Sequence, residues 1–382
     1  MRIAVFASYF YPHKGGVENY VYEIYSRLVG KDVKVDVITC NTNNSLLEEV
    51  YEGLNIYRFD CWNALGGTYP IPKINKRFFQ ILRKLNKNNY SFVNTQTRFF
   101  ILSFIGFLYG KIRGIKVIHT EHGTRHTFFS NPVLNLLSKT YDHMIGFLIA
   151  RFADHNIAIS AASGEFSKHL GAKNYEIVYN GVDTNKFKKR ETDLKKRLNV
   201  DSEYKVITFV GRLIEAKGVQ DLIEAFKVVK NKACVKLIIV GNGNYKNQLM
   251  ELAAGDRDIL FLGEKNEEEI IDVLSIADVF VNPSYSEGLP TSVLEAAACG
   301  CAIIATDVGG TKEIEREVNQ DSKSFFLYKA GNAIQLEGYL LSILKRDNLT
   351  SDQYLPLMST HSISIFSWDT IAGKYCELLK SI

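Results

Sequence analysis

Short apolar runs alternate along the chain with longer stretches whose apolar positions recur at helical spacing. Arg2–Ala7 reads as a strand. It is followed by the loop YFYPHKGGVE, a helix over Val17–Val29 and a second strand over Val33–Thr39. The pattern predicts further strands over Ile56–Phe59, Phe92–Asn94, Lys116–His119, His155–Ala158 and Glu176–Val178. Helices are predicted over Lys76–Lys87, Phe100–Ile112, Val133–Ala153 and Ala161–His169. A strand–helix–strand order of this kind begins a Rossmann-like domain. Asn180–Gly181 marks a turn. The charge-rich segment from Thr184 to about Tyr204 reads as a connection between domains.

A second α/β pattern then starts. Lys205–Val210 is a predicted strand, followed by the loop GRLIEAKG, a helix over Val219–Val229 and a strand over Val235–Val240. After GNG come a helix near Tyr245–Leu252 and strands over Asp258–Phe261, Asp278–Val281 and Cys301–Ala305, with helices over Ser292–Ala298 and Lys312–Glu317. Phe366–Leu379 has helical spacing and reads as a terminal helix packed on the body. The expected fold class is α/β, with two Rossmann-like domains facing an interdomain cleft, a favoured ligand location. The 382 residues are more than one core usually serves, which agrees with two domains.

Composition narrows the function classes. The chain is 46% hydrophobic and 23% charged, ordinary for a globular protein. Its net charge of +4 is uneven. Residues 1–184 carry 21 basic and 14 acidic side chains, a net +7, and the remainder is at −3. A basic first half fits an anionic partner or a lysine-rich solvated surface. No 18-residue uncharged apolar run exists, so no spanning helix is expected; the most apolar stretch, FFILSFIGFLY at 99–109, is too short. The start, MRIAVFASY, reads as a strand and not a signal peptide. The six cysteines form no CxxC pair or metal cluster, and Cys299 and Cys301 sit in an apolar run. That usage fits a reducing, cytoplasmic compartment.

The most informative segment is NPSYSEGLPTSVLEA at 282–296. It places Glu287 and Glu295 around a Gly-Leu-Pro turn, between a strand and a helix. Open α/β sheets bind ligands at such carboxyl ends, and a helix start favours an anion. The pair suits sugar hydroxyls and phosphates; two glutamates on a solvated helix start would look the same. Gly15–Gly16 precede a helix, where adjacent glycines let a backbone approach an anion or simply make a turn. Neither GxGxxG nor GxxxxGK[ST] is present, which removes the dinucleotide fingerprint and the simple ATPase. Arg212 and Lys217 lie in one loop and could clamp a diphosphate, stabilising the charge that builds on a leaving phosphate; a solvated loop is the alternative.

HTEHGTRH crowds His119, Glu121, His122, Arg125 and His126 into one window. It lacks HExxH and an obvious third ligand, so no metal site is expected, and one histidine is expected to hydrogen-bond a substrate. KINKRFFQILRKLNK at 73–87 predicts a helix with an apolar stripe and a cationic flank. It could lie on an anionic membrane or pack on its own domain. With no RNA-binding module, nucleic acid is not an expected partner.

Together these pieces resemble the family 4 retaining glycosyltransferases, whose two-domain fold is named GT-B. The resemblance covers essentially the whole chain. It rests on GGVE at 15–18, EHG at 121–123, YNGVD at 179–183, GRLIEAKG at 211–218, EGLPTSVLEA at 287–296 and GG at 309–310. Glu287 and Glu295 match the family's E-x7-E element. The resemblance implies an N-terminal acceptor-binding domain over 1–184, a nucleotide-sugar-binding domain over 185–365, and a C-terminal helix within 366–382 crossing back to the first domain. It implies that Arg212 and Lys217 neutralise the donor diphosphate and that Glu295 accepts ribose hydroxyls. Glu287 would contact the transferred sugar, with Gly288, Leu289 and Pro290 holding sugar and phosphate through backbone groups. Gly15 and Gly16 would approach the diphosphate, and His122 the donor sugar. Gly241–Gly243 and the stretch around Gly263 would hold the base. Many members carry Phe-Gly where this chain has Leu289–Pro290, a known type of variation that leaves the site intact.

The implied reaction is metal-free transfer of a hexose-type sugar with retention, by a front-face route, from a nucleotide-sugar, with UDP the commonest base. The implied catalytic set is His122, Arg212, Lys217 and Glu287. The implied acceptor is a glycan or a lipid-linked glycan of polysaccharide or lipopolysaccharide assembly, with peripheral contact at the inner face of the cytoplasmic membrane. The alternatives are a small soluble acceptor and a non-catalytic sugar-nucleotide-binding scaffold.

Overall fold

The computed structural model describes residues 1–13, 15–64, 69–127, 131–319, 324–345 and 363–382. The chain divides into two compact units, one of Met1–Asn180 with Trp368–Ile382 and one of Gly181–Ser367.

The strands of the first unit are β1 (Arg2–Phe6), β2 (Lys34–Cys40), β3 (Glu48–Tyr51), β4 (Leu54–Phe59), β5 (Cys61–Ala64), β6 (Tyr69–Pro72), β7 (Phe92–Gln96), β8 (Lys116–Glu121), β9 (His155–Ala158) and β10 (Glu176–Ile177). Eight of them form one sheet in the order β10-β9-β8-β7-β1-β2-β4-β3. Within it only β3 runs antiparallel to its neighbour. A parallel sheet covered on both faces needs unbroken apolar strands, and Ile3, Ala4, Val5 and Phe6 of β1 are fully buried. Strand order reverses at β1, which pairs β2 on one side and β7 on the other. The carboxyl ends there are where Gly15–Gly16 and His122 emerge.

β5 and β6 form a separate antiparallel ribbon. These two strands and β3 were not predicted. β3 reads EEVY, an edge sequence with no buried face, closed on β4 by a turn whose Glu52 and Gly53 have positive φ. The helix Lys76–Leu85 is capped by Asn75, whose side chain accepts from the Phe78 N–H. Its Phe78, Ile81 and Leu85 are buried, and Phe78 meets Phe59 with ring centroids 4.8 Å apart. The buried part of this helix's apolar stripe thus packs on its own unit, while Phe79 stays half exposed. The long helix predicted over Val133–Ala153 is three pieces: Pro132–Tyr141, a π turn over Asp142–Gly146 and Phe147–Phe152. The final helix, Trp368–Ser381, packs on Gly16–Val29. The buried Tyr25 and Tyr375 hydroxyls lie 2.7 Å apart, and Arg27 Nε donates to Asp369 Oδ1 at 2.8 Å.

The second unit holds β11 (Lys205–Val210), β12 (Val235–Val240), β13 (Ile259–Gly263), β14 (Val279–Asn282), β15 (Ala302–Thr306) and β16 (Phe325–Tyr328). They form a fully parallel sheet in the order β13-β12-β11-β14-β15-β16. β16 and the helices Glu267–Ile276 and Ala333–Leu344 were not predicted. Most of the segment read as a connection belongs to this unit. It contains a short helix, Leu194–Arg197, and Arg190 Nε donates to Asp272 Oδ1 at 2.9 Å. Strand order reverses between β11 and β14, so the loops after these two strands flank the switch point where open sheets bind ligands.

Candidate active site

The loop after β11 carries Arg212 and Lys217, and the loop after β14 carries Glu287 to Pro290. Their backbones touch. Gly218 has φ +67°, and a Cβ there would stand 2.0 Å from the Pro283 carbonyl oxygen. Gly309 has φ +57°, and its Cβ would stand 2.1 Å from the Glu287 carbonyl oxygen. Only glycine permits both conformation and approach. The Tyr285 N–H donates to the Ala216 carbonyl at 2.9 Å, and the Gly310 N–H to the Gly288 carbonyl at 2.8 Å.

This contact brings side chains together. Lys217 Nζ lies 2.7 Å from Glu287 Oε1. The same oxygen receives Ser284 Oγ at 2.6 Å and Asn282 Nδ2 at 3.3 Å. Thr306 Oγ1 donates to the Ser284 carbonyl at 2.6 Å. Asn282, Ser284 and Thr306 were not singled out from the sequence. Asn282 and Ser284 open the same motif as Glu287, which was the available signal; Thr306, on β15, left none. Arg212 is exposed, and its guanidinium makes no hydrogen bond or ion pair among the described residues. Lys217 is therefore held in place by Glu287, while Arg212 extends to solvent.

Pro290 precedes the helix Thr291–Ala298, which has no side-chain cap. Leu289 is buried. Glu295 lies in that helix, half-buried, with its carboxyl group making no hydrogen bond among the described residues. Burial, with a smaller contribution from the Glu267 carboxylate, pushes its pKa up to about 7. Hydrogen-bond donors from a ligand would relieve that cost. Gly241 ends β12 and donates to the Gly263 carbonyl at 2.8 Å, so the two glycines join neighbouring strand ends. Leu213 donates its N–H to the Asn242 carbonyl at 2.8 Å, joining the GNG turn to the Arg212 loop.

In the first unit, Gly15 is the N-cap of the helix Gly16–Val29, without a side-chain cap. A Cβ on Gly16 would meet nothing within 4 Å, whereas one on Gly15 would run into the Glu18 carboxylate, which lies against this helix start. His122 follows β8. Its ring lies edge-on to Tyr20 of that helix, centroids 5.0 Å apart. Its Nε2 lies 2.7 Å from Gln96 Oε1. Gln96 in turn donates to Asn94 Oδ1, and Asn94 Nδ2 donates to Thr120 Oγ1 at 3.0 Å. Amide orientations that satisfy this chain put the imidazole proton on Nε2 and leave Nδ1 as an acceptor. Burial holds the His122 pKa down at about 4, partly offset by the Glu121 carboxylate, so the ring is neutral near pH 7. Gln96 and Asn94 left no signal in the sequence.

The rest of the HTEHGTRH window disperses. His119 Nδ1 pairs with Thr95 Oγ1 at 2.9 Å, and Glu121 is locked to buried Arg98 at 2.7 Å. His126 turns to Asp142, its Nδ1 2.8 Å from Oδ2.

Profiles of two families match consecutive parts of the chain. "Glycosyltransferase Family 4" matches residues 14–186 and "Glycosyl transferases group 1" matches residues 190–354. An uncharacterized glycosyltransferase of Methanocaldococcus jannaschii is 30% identical over 364 residues, 91% of each chain. A phosphatidylinositol N-acetylglucosaminyltransferase subunit of Saccharomyces cerevisiae is 24% identical over 394 residues, all of this chain and 83% of that one. Among solved structures, the Anabaena protein HepE in complex with UDP superposes with a TM-score of 0.78 at 20% identity over the full length of both chains. Two units built on parallel sheets with polar loops at their switch points make up the GT-B fold. The chain belongs to the family 4 glycosyltransferases.

Two variants separate packing from open space. Gly218→Ala should destabilise by more than about 1 kcal/mol, whereas Gly16→Ala should stay within about 0.5 kcal/mol of wild type, both read by chemical denaturation. Equal losses would mean the loop contact is not built as described. Glu295 binds a proton more tightly folded than unfolded, so its contribution is full below pH 4.5 and is lost as pH rises through 7. Glu295→Gln should therefore match wild type near pH 4 and unfold at higher denaturant near pH 8; a gain independent of pH would contradict the burial of that charge.

Proposed function

We propose that the chain is a retaining glycosyltransferase that moves a hexose-type sugar from a UDP-linked donor to a glycan or lipid-linked acceptor. The observation that carries this reading is the Lys217–Glu287 pair at the switch point of the second sheet, with Glu295 close behind it in sequence. Arg212 and Lys217 supply fixed positive charge for a diphosphate, which favours the transition state as the leaving phosphate gains charge. The uncapped helix start after Pro290 adds free N–H groups. Glu295 takes the ribose hydroxyls. Glu287, already engaged by Lys217, Ser284 and Asn282, positions sugar hydroxyls and does not act as nucleophile. Base contacts fall to the strand ends at Gly241 and Gly263.

In the proposed step the bond from the anomeric carbon to the diphosphate oxygen breaks. The acceptor oxygen bonds that carbon from the same face, and its proton passes to the departing phosphate. Cations do the work of a divalent ion, so no metal is required for transfer. On the first unit, neutral His122 has Nδ1 available to accept from a sugar hydroxyl. The Anabaena protein named in complex with UDP, and the yeast relative named for transfer of N-acetylglucosamine to phosphatidylinositol, support a nucleotide-linked donor and a lipid acceptor.

A different surface from the one first expected supports a membrane-borne acceptor. Val133, Leu136, Leu137, Met144 and Phe152 are each more than half exposed, with Lys139 and Arg151 on the same helical stretch. Exposed apolar groups beside cations suit an anionic bilayer. No described helix is long and apolar enough to cross one.

A donor screen tests the chemistry. UDP, GDP and ADP, then their hexose and N-acetylhexosamine conjugates, are titrated without added metal. One UDP-sugar should bind well above the rest. Lys217→Ala should weaken its binding several-fold or more, and Glu287→Ala should keep UDP binding but lose transfer. A β-linked product, or full transfer by Glu287→Ala, would overturn the reading. Vesicle flotation tests the acceptor side. Wild type should float with anionic vesicles and Leu136→Asp/Leu137→Asp should not; equal flotation, or none by wild type, removes the membrane surface.

A further inference from the structure

Three histidines of the first unit converge at a place that the donor chemistry does not use. His126 lies in the loop after β8, His143 in the π turn Asp142–Gly146, and His169 ends the helix Ala161–His169. One nitrogen from each lies within 4.8 Å of the others. The rings form a closed triangle, with centroid separations of 5.0, 5.8 and 5.9 Å. We propose that His126, His143 and His169 form a binding site for a divalent transition metal ion, with Zn²⁺ the fitting probe.

The surroundings of the cluster are those of a metal site. His126 Nδ1 is taken by Asp142 Oδ2 at 2.8 Å, which leaves Nε2 for an ion. A carboxylate behind a ligating imidazole fixes its ring and raises its basicity. Asp142 is fully buried and is held by Arg98, with Nε 3.1 Å from Oδ1 and Nη2 3.2 Å from Oδ2. Arg98 is anchored to Glu121 at 2.7 Å and lies 4.4 Å over the Phe166 ring. Phe166 stacks on His169, centroids 5.9 Å apart. One buried guanidinium thus supports the orienting carboxylate on one side and, through Phe166, a second imidazole on the other.

Around a tetrahedral ion with Zn–N of about 2.0–2.1 Å, ligand nitrogens stand roughly 3.4 Å apart. The cluster must close by about 1.4 Å from its widest separation. His143 and His169 are exposed, and a closure of this size is within the reach of side-chain rotation. Three neutral nitrogen donors select Zn²⁺, Cu²⁺, Ni²⁺ or Co²⁺ over Mg²⁺ or Ca²⁺, and they leave a fourth position for water or an anion. The π turn presents His143 directly after Asp142, and such turns are frequent at functional sites. The residues proposed to neutralise the diphosphate, Arg212 and Lys217, belong to the other unit, and none of the three histidines is among the residues proposed to meet the donor.

The test is Zn²⁺ binding to the purified full chain by competition with a chromophoric chelator, with melting temperature as a second readout. Wild type should take up one ion per chain, and Zn²⁺ should raise its melting temperature. His143→Ala and His169→Ala should each lower the affinity roughly tenfold or more. The double variant should lose both the ion and the thermal shift, whereas His155→Ala, outside the cluster, should keep them. Co²⁺ should give the visible d–d absorption of a four-coordinate site in wild type and in His155→Ala, and not in the double variant. Absence of binding by wild type would overturn the proposal, and so would undiminished binding by the double variant.

Discussion

The polar architecture of the second unit depends on one close approach: the backbone of the loop after β11 lies against the backbone of the loop after β14. No side chain can stand between them, because a Cβ at Gly218 would fall 2.0 Å from the Pro283 oxygen. The consequence is chemical. With the loops at van der Waals contact, Lys217 reaches Glu287 at 2.7 Å, and Ser284 and Asn282 converge on the same oxygen. On the far side Gly309 gives Glu287 the same proximity to the turn after β15. The carboxylate is therefore located by backbone on two sides and by donors in front. A site fixed this way needs little rearrangement when a ligand arrives, which is where preorganised charge gains its effect.

Elsewhere the protein keeps groups in states they would not choose in water. Glu295 is raised toward neutrality by burial and by Glu267, and it waits without an internal donor. His122 is held neutral and, through Gln96 and Asn94, in one tautomer. The Glu295 arrangement costs stability near pH 7, whereas a free imidazole is already mostly neutral there and the cost at His122 arises only at lower pH. Both make sense for a ligand rich in hydroxyl groups: an acceptor carboxylate gains donors from a diol, and an imidazole with a fixed lone pair accepts from one hydroxyl in one direction. An uncommitted histidine could serve either way and would discriminate less.

Much of this was legible in the sequence. The buried parallel strands announce themselves as apolar runs, and the loops carry their glycines and charged residues in motif order. The misses have physical reasons. β3 is an edge strand of EEVY whose pairing comes from a turn and a neighbour, not from its own apolarity. The helix Glu267–Ile276 did have a start signal, the Asn266–Glu269 capping box, that went unread. Asn282 and Ser284 sit inside the segment that stood out, but partnership to Glu287 is a matter of three dimensions. The HTEHGTRH window shows the limit most clearly. Read as a string it is one histidine-rich patch; folded, His119, His122 and His126 face Thr95, Gln96 and Asp142, three different surroundings. Spacing could show no third metal ligand because His143 and His169 are supplied by other elements.

The proposed metal-free transfer and the proposed metal site are not in conflict, because the two sites differ in donor character. Diphosphate oxygens are hard and highly charged, and they are neutralised either by hard cations such as Mg²⁺ or by guanidinium and ammonium groups. Imidazole nitrogens are softer and neutral and bind the later transition ions, to which a loop of arginine and lysine has nothing to offer. Buried Arg98 joins the two sides of the first unit's chemistry. It holds Glu121, the residue before His122, and Asp142, the residue behind His126. An ion drawn to His126 would pull on the carboxylate that Arg98 shares, and through Arg98 on the segment that sets His122.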